Sequence, residues 1–150
     1  MRVRIVLTIA VACALVTACS AFGSAAEVVM CEAAGTLSTA KTLVEQAAAK
    51  DASGDKSGAQ QLANEARSLA EQAHEALQEV TSADVKPTST WQALLDAYLH
   101  VGQAANALLP SYASTYGITG EELATASNDL QAATASLPAR CVVVTTPPGA

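Results

Sequence analysis

Between residues 32 and 137, apolar side chains return every three or four positions, in four runs cut apart by glycine, serine and proline. That spacing marks one face of a helix; a strand would alternate every second residue. The first run, from about Glu32 to Lys50, carries Ala33, Leu37, Ala40, Val44, Ala47 and Ala48 and stops at the polar loop "KDASGDKSG". The second, from about Gly58 to Ser82, lines one face with Leu62, Ala66, Leu69, Ala73, Leu77 and Val80, opposite Arg67, Glu71, His74 and Gln78. The third, from about Thr90 to Leu109, places Trp91, Leu94, Leu95, Tyr98, Val101, Ala105 and Leu108 together. The fourth, from about Gly120 to Leu137, turns Leu123, Ser127, Leu130, Ala133 and Leu137 inward, and Pro138 ends it. Ser57/Gln60, Ser89/Gln92 and Thr119/Glu122 each read as a capping box, in which the first side chain satisfies an orphan N–H and the second reaches back.

Composition narrows how such runs can pack. Hydrophobic residues make up 51% of the 150, yet aromatics only 3%. Much of the apolar fraction is alanine, which buries little area at roughly 25 cal/mol per Å². Small faces of this kind suit closely packed helices. The expected fold is all-α, an antiparallel up-down four-helix bundle with short connections. In that topology the start of the first helix and the end of the fourth share one end. The net charge is −6, and it falls to −8, six basic against fourteen acidic residues, once Arg2 and Arg4 are removed. No basic patch exists to meet phosphate, so nucleic acid is not an expected partner.

The N-terminus reads as a targeting segment. Arg2 and Arg4 precede an uncharged apolar run from Ile5 to Ala18, short of the ~20 residues of a spanning helix. The run closes on Val16-Thr17-Ala18-Cys19. This resembles the lipobox of bacterial lipoproteins: a branched apolar residue, two small residues, then cysteine. Valine stands where leucine is commoner in that family. The resemblance covers about the first 20 residues. It implies that the Cys19 thiol receives a diacylglyceryl group and that cleavage before it leaves Cys19 as the first residue. Two acyl chains give a stable anchor where one is marginal. A second exit is open at Ser24-Ala25-Ala26, where an ordinary signal-peptidase cut would release a secreted protein without Cys19. The first exit divides the chain into a signal peptide at 1–18, a tether at 19–30, the bundle at 31–141 and a tail at 142–150.

Four cysteines are present. Cys13 leaves with the leader, and Cys19 is acylated or removed. Cys31 and Cys141 remain, and an even pair in an exported chain reads as a disulfide. Such a bond would close the bundle at its two ends, in agreement with the up-down topology. Closing a loop of about 100 residues is worth up to about 4.7 kcal/mol by chain entropy.

Motifs with catalytic or ligand-binding spacing are thin. Ser38-Thr39-Ala40-Lys41 matches S-x-x-K without its companion motifs, and Ser38 reads as a solvated helix residue. Asp51 to Leu62 has oxygen ligands at alternate positions. Lys56 and Leu62 occupy the places where a calcium loop needs glycine and glutamate, which leaves a polar connection. His74 near Glu71, and His100 one turn from Asp96, are expected to be exposed. Asp96, Glu121, Glu122 and Asp129 form no evident acid–base pair, and no nucleophile–base set is found. Tyr112 and Tyr116 are expected to pack over a bundle end. No catalytic residue, metal or cofactor is therefore expected.

The functional expectation is a non-catalytic binding or scaffolding lipoprotein. The membrane is its partner through Cys19, on the outer face, and a protein partner is expected besides. A secreted carrier of a small apolar ligand is the alternative. "MCEAAGTLS" and "LPARC" resemble the cysteine-bearing ends of small helical haem-binding domains secreted by mycobacteria, a resemblance that does not extend to the middle of the chain. It implies a ligand site near Trp91 and Tyr98.

Overall fold

The computed structural model describes residues 25–80, 88–110, 119–137 and 141. Four α-helices account for nearly all of them: α1 Ala25–Ala52, α2 Lys56–Glu79, α3 Thr88–Ala107 and α4 Thr119–Ser136. No strand occurs among the described residues. Each helix coincides with one of the periodic runs, so the all-α expectation holds. The leader, Cys13, Cys19, Tyr112, Tyr116 and the tail at 142–150 lie outside the described residues.

The first helix starts earlier than its pattern suggested. It begins at Ala25 rather than Glu32, and Ala26 and Met30 are buried in the core. The second half of the expected tether is thus the first turn and a half of α1. The reason is packing: Met30 is among the largest fully buried side chains, and only helical backbone holds it on the same face as Ala33, Ala34 and Leu37.

The α1–α2 turn shows how local chemistry stops one helix and starts the next. Gly54 adopts φ +91°, a left-handed conformation that costs other residues about 1–2 kcal/mol. Around it Ser53 N donates to Ala49 O at 3.1 Å and Asp55 N to Lys50 O at 3.0 Å, which occupies carbonyls at the end of α1. Asp55 then caps α2, its carboxylate accepting from Gly58 N at 2.9 Å. This displaces the expected Ser57 box, since Ser57 is already inside the helix. Asp55 carries further support that Ser57 lacks: Lys50 Nζ lies 2.8 Å from its carboxylate. The Lys50 and Gly58 hydrogen bonds hold the Asp55 carboxyl below its usual range. Gly58 must stay small here, because a Cβ would run into the Asp55 carboxylate.

The core is a cluster of alanines punctuated by a few larger side chains. Met30, Leu37, Val44, Leu77, Leu94 and Val101 are fully buried. Around them sit Ala33, Ala40, Ala66, Ala70, Ala73, Ala97, Ala104, Ala126 and Ala133. α1 packs most extensively against α2, and α3 against α4, while α2–α3, α1–α3 and α1–α4 contacts join the two pairs. The buried face of α2 is Ala59, Ala63, Ala66, Ala70, Ala73 and Leu77. Leu62 and Leu69, expected on this face, are only partly buried and pack against its margin. α3 behaves alike: Ala97 and Ala104 are fully buried, and Trp91, Leu95 and Tyr98 flank them. Close approach of helix axes favours the smallest side chains at the midline, and larger ones then cover the edges.

Two long-range links tie helix ends together. Trp91 Nε1–H donates to the carbonyl of Leu77 at 3.1 Å. Leu77 lies in the last turn of α2, where carbonyls have no intrahelical donor. Cys31 and Cys141 stand at disulfide distance, with Cα atoms 5.4 Å apart and a sequence separation of 110. Cys31 lies in the second turn of α1 rather than ahead of it. Both cysteines pack against the main core cluster.

Candidate functional site

A partly buried group of polar side chains lies on the α3–α4 seam. His100 of α3 faces α4, where Glu122 and Asp129 sit two turns apart on one side. Its Nδ1 is 2.8 Å from Glu122 Oε2, and its Nε2 is 3.9 Å from Asp129 Oδ2. His100 and Glu122 are half-buried, which departs from the expectation of an exposed histidine beside Asp96. Asp96 instead accepts from Gln92 Nε2 at 3.1 Å. Glu122 turns its Oε2 to His100 across the seam; the Thr119 side chain of the third expected capping box lies outside the described residues.

The chemistry of this seat follows from its donors and acceptors. A carboxylate can only accept, so the short contact to Glu122 requires a proton on His100 Nδ1. In the neutral ring Nε2 then presents a lone pair toward Asp129. Burial pushes the Asp129 carboxyl above its usual value; the charge on His100 works against that shift, and Asp96 adds to it. Asp129 Oδ2 is buried with no hydrogen-bond partner. The seat thus joins two helices through one imidazole and two carboxylates. Among the described residues no hydroxyl or thiol is hydrogen-bonded to the His100 ring.

The second histidine is also engaged. His74 of α2 stacks on Tyr98 of α3, with ring centroids 4.2 Å apart and planes within 5° of parallel. Gln78 Nε2 lies 3.1 Å from His74 Nε2. His74 was expected on a solvated face; the stack half-buries it and makes it part of the α2–α3 contact. Sequence reasoning had the signal in hand, since Tyr98 belonged to the apolar stripe, but the pairing depends on the register between α2 and α3.

The remaining motifs dissolve into ion pairs. Lys41 Nζ binds Glu45 at 2.6 Å, which takes it away from Ser38. Asp51 pairs with Lys56 at 2.7 Å, so the calcium-like loop spends its carboxylates on lysines. Among the described residues no three His, Cys, Asp or Glu side chains are grouped to hold a metal ion. No helix among them is long and apolar enough to cross a membrane. Trp91 and Tyr98, the residues tied to a ligand-carrier reading, are half-buried and committed to Leu77 and His74 respectively.

The chain matches no protein-family model, no curated protein and no solved structure.

Proposed function

We propose that this chain is an exported lipoprotein whose folded part is a non-catalytic binding or scaffolding bundle held on the outer face of the cytoplasmic membrane. The observation that carries the reading is Val16-Thr17-Ala18-Cys19 closing an apolar run behind two arginines. The thiol of Cys19 takes a diacylglyceryl group, and cleavage before it makes it the first residue. The start of α1 at Ala25 supports this exit over the cut after Ala26. Ala25 and Ala26 belong to α1, and Ala26 is buried in the core, so the later cut would trim the folded body.

The bundle is up-down and antiparallel. Three residues, Ser53–Asp55, separate α1 from α2, too few for anything but reversal between packed helices. The Trp91–Leu77 bond joins the end of α2 to the start of α3, and the His100–Glu122 contact joins the latter half of α3 to the first turn of α4. Cys31 and Cys141 form a disulfide, as suits an oxidising compartment, and fasten α1 to the segment that follows α4.

A binding role rather than a chemical one fits the state of the polar groups. Among the described residues the polar partners of His100 are carboxylates, and His74 is stacked on Tyr98. Intact mass measurement of the protein purified from membranes tests the anchor. The expected species starts at Cys19 with a diacylglyceryl group, and a chain starting at Glu27 would refute it. Non-reducing peptide mapping tests the staple: a Cys31–Cys141 peptide is expected, and free thiols at both positions would remove it.

A further inference from the structure

We propose that the α3–α4 seam is a proton-operated clasp: a proton taken up between His100 Nε2 and Asp129 Oδ2 adds a second bridge from α3 to α4, and its loss leaves the Glu122 bridge to hold alone. The clasp lies within the folded body and does not depend on the Cys19 anchor.

The geometry around the ring sets up two states. Glu122 Oε2 stands 2.8 Å from Nδ1, so Nδ1 carries a hydrogen in both. Nε2 carries one only in the imidazolium. It stands 3.9 Å from Asp129 Oδ2, outside hydrogen-bond range. With a neutral ring and an ionised Asp129, two lone pairs face each other across that gap. Nothing among the described residues relieves them, since Asp129 Oδ2 is buried and has no hydrogen-bond partner. A proton on either atom turns two acceptors into a donor and an acceptor. An approach of about 1 Å then makes the hydrogen bond. The two groups share that proton, so its titration belongs to the pair.

The charges around the pair are mostly negative. α4 contributes Glu122 and Asp129, and α3 contributes Asp96, one turn before His100. Burial pushes the Asp129 carboxyl up, the charge on His100 works against that, and Asp96 adds to it. α1 packs on both helices with a buried face that is apolar throughout. α2 meets α3 on another flank, where His74 stacks on Tyr98. Lys41, Lys50, Lys56 and Arg67 pair with Glu45, Asp55, Asp51 and Glu71. Among the described residues His100 is thus the one group able to carry positive charge within 4.0 Å of Glu122 and Asp129.

What the clasp holds is α4. That helix packs mostly on α3 and much less on α1. Its Ala126, Leu130 and Ala133 are buried in the core. Glu122 ties down only the first turn. Asp129 lies about 10 Å farther along the axis, so the second bridge carries the tie to the middle of the helix. A carboxyl raised by folding stabilises the folded state at low pH and loses that contribution as pH rises through the raised value. α4 is therefore held more firmly on the acid side and opens locally more often above it.

Nuclear magnetic resonance on the full-length, isotope-labelled protein in detergent micelles tests the clasp. The His100 ring nitrogens and the Asp129 carboxyl carbon are followed from about pH 8 to about pH 4. The Asp129 carbon should report the same transition as Nε2, with Nδ1 protonated throughout. Amide exchange in α4, corrected for its intrinsic pH dependence, should slow several-fold across that transition. His100→Gln should remove the transition from the Asp129 signal, and Asp129→Asn should leave α4 exchange flat with pH. An Asp129 carbon that ignores the Nε2 transition would show two uncoupled groups and overturn the proposal. Unchanged α4 exchange across a shared transition would overturn it as well, since the proton would then hold nothing. Both readings come from the parent protein, so they stand even where a variant fails to fold.

Discussion

Replacing Ala66 by leucine tests whether α1 and α2 meet through alanine. Ala66 is 0% exposed and sits mid-helix on the buried face of α2, among Ala63, Ala70 and Ala73. α1 brings Ala33, Ala40 and Ala47 to the core from the other side of its most extensive contact. The substitution adds three carbon atoms to a position that has no free surface. Leucine is the better choice by hydrophobicity alone and is as good a helix former as most residues, so a loosely packed core would welcome it. A close-packed one cannot, and overpacking costs typically 1–3 kcal/mol. For a body of this size each kcal/mol is worth roughly 4 °C in Tm, so a fall of about 4–12 °C is expected. Ala49→Leu, on the exposed side of α1, is the matched control and should stay within about 0.5 kcal/mol of the parent. Thermal melts followed by far-ultraviolet circular dichroism measure both variants. An Ala66→Leu protein as stable as the parent would refute the close-approach account.

Three further substitutions probe other links. Gly102→Ala should stabilise α3 by up to about 1 kcal/mol, because a Cβ there meets nothing within 4 Å and alanine is the better helix former; urea melts check it, and a loss of stability would contradict the open surroundings. Trp91→Phe removes the donor to Leu77 O but keeps a ring, and should cost about 1 kcal/mol in the same assay. Asp129→Asn should alter how stability depends on pH. The folded carboxyl titrates above its ordinary 3.8, so the parent gains stability relative to the variant as pH falls through that raised value toward 3.8, and loses the advantage as pH rises again. Parallel urea melts from neutrality to about pH 4 measure the difference, and a gap that stays constant would sink it.

The helices were legible because a buried face must repeat every 3.6 residues, and that repeat survives in any all-α packing. Which residues occupy the midline was less legible. Hydrophobicity ranks Leu62 and Leu69 above Ala63 and Ala70, whereas interaxial distance ranks them the other way, and here distance wins. The early start of α1 had a local signal in "SAAEVV", where Ser24 and Glu27 stand at capping-box spacing, and the burial of Ala26 and Met30 in the core holds it. Glu122 satisfied a capping pattern, and its carboxylate also meets a partly buried histidine across the seam. The seven-residue spacing of Glu122 and Asp129 puts both on one side of α4 and could have marked the site. Matching them to His100 required the register of α3 against α4, which no local pattern encodes. Cys31 and Cys141 were legible because so few cysteines were left to pair.

The position of Cys31, one and a half turns inside α1, has a mechanical consequence once the bond to Cys141 is formed. Tension applied between the start of the chain and anything attached beyond Cys141 would pass directly from one sulfur to the other. Only the stretches ahead of Cys31 and beyond Cys141 would bear load, and of α1 only the residues before Cys31 could unravel. The other turns of α1, and all of α2, α3 and α4, lie in the closed loop between the cysteines and would be shielded from the pull.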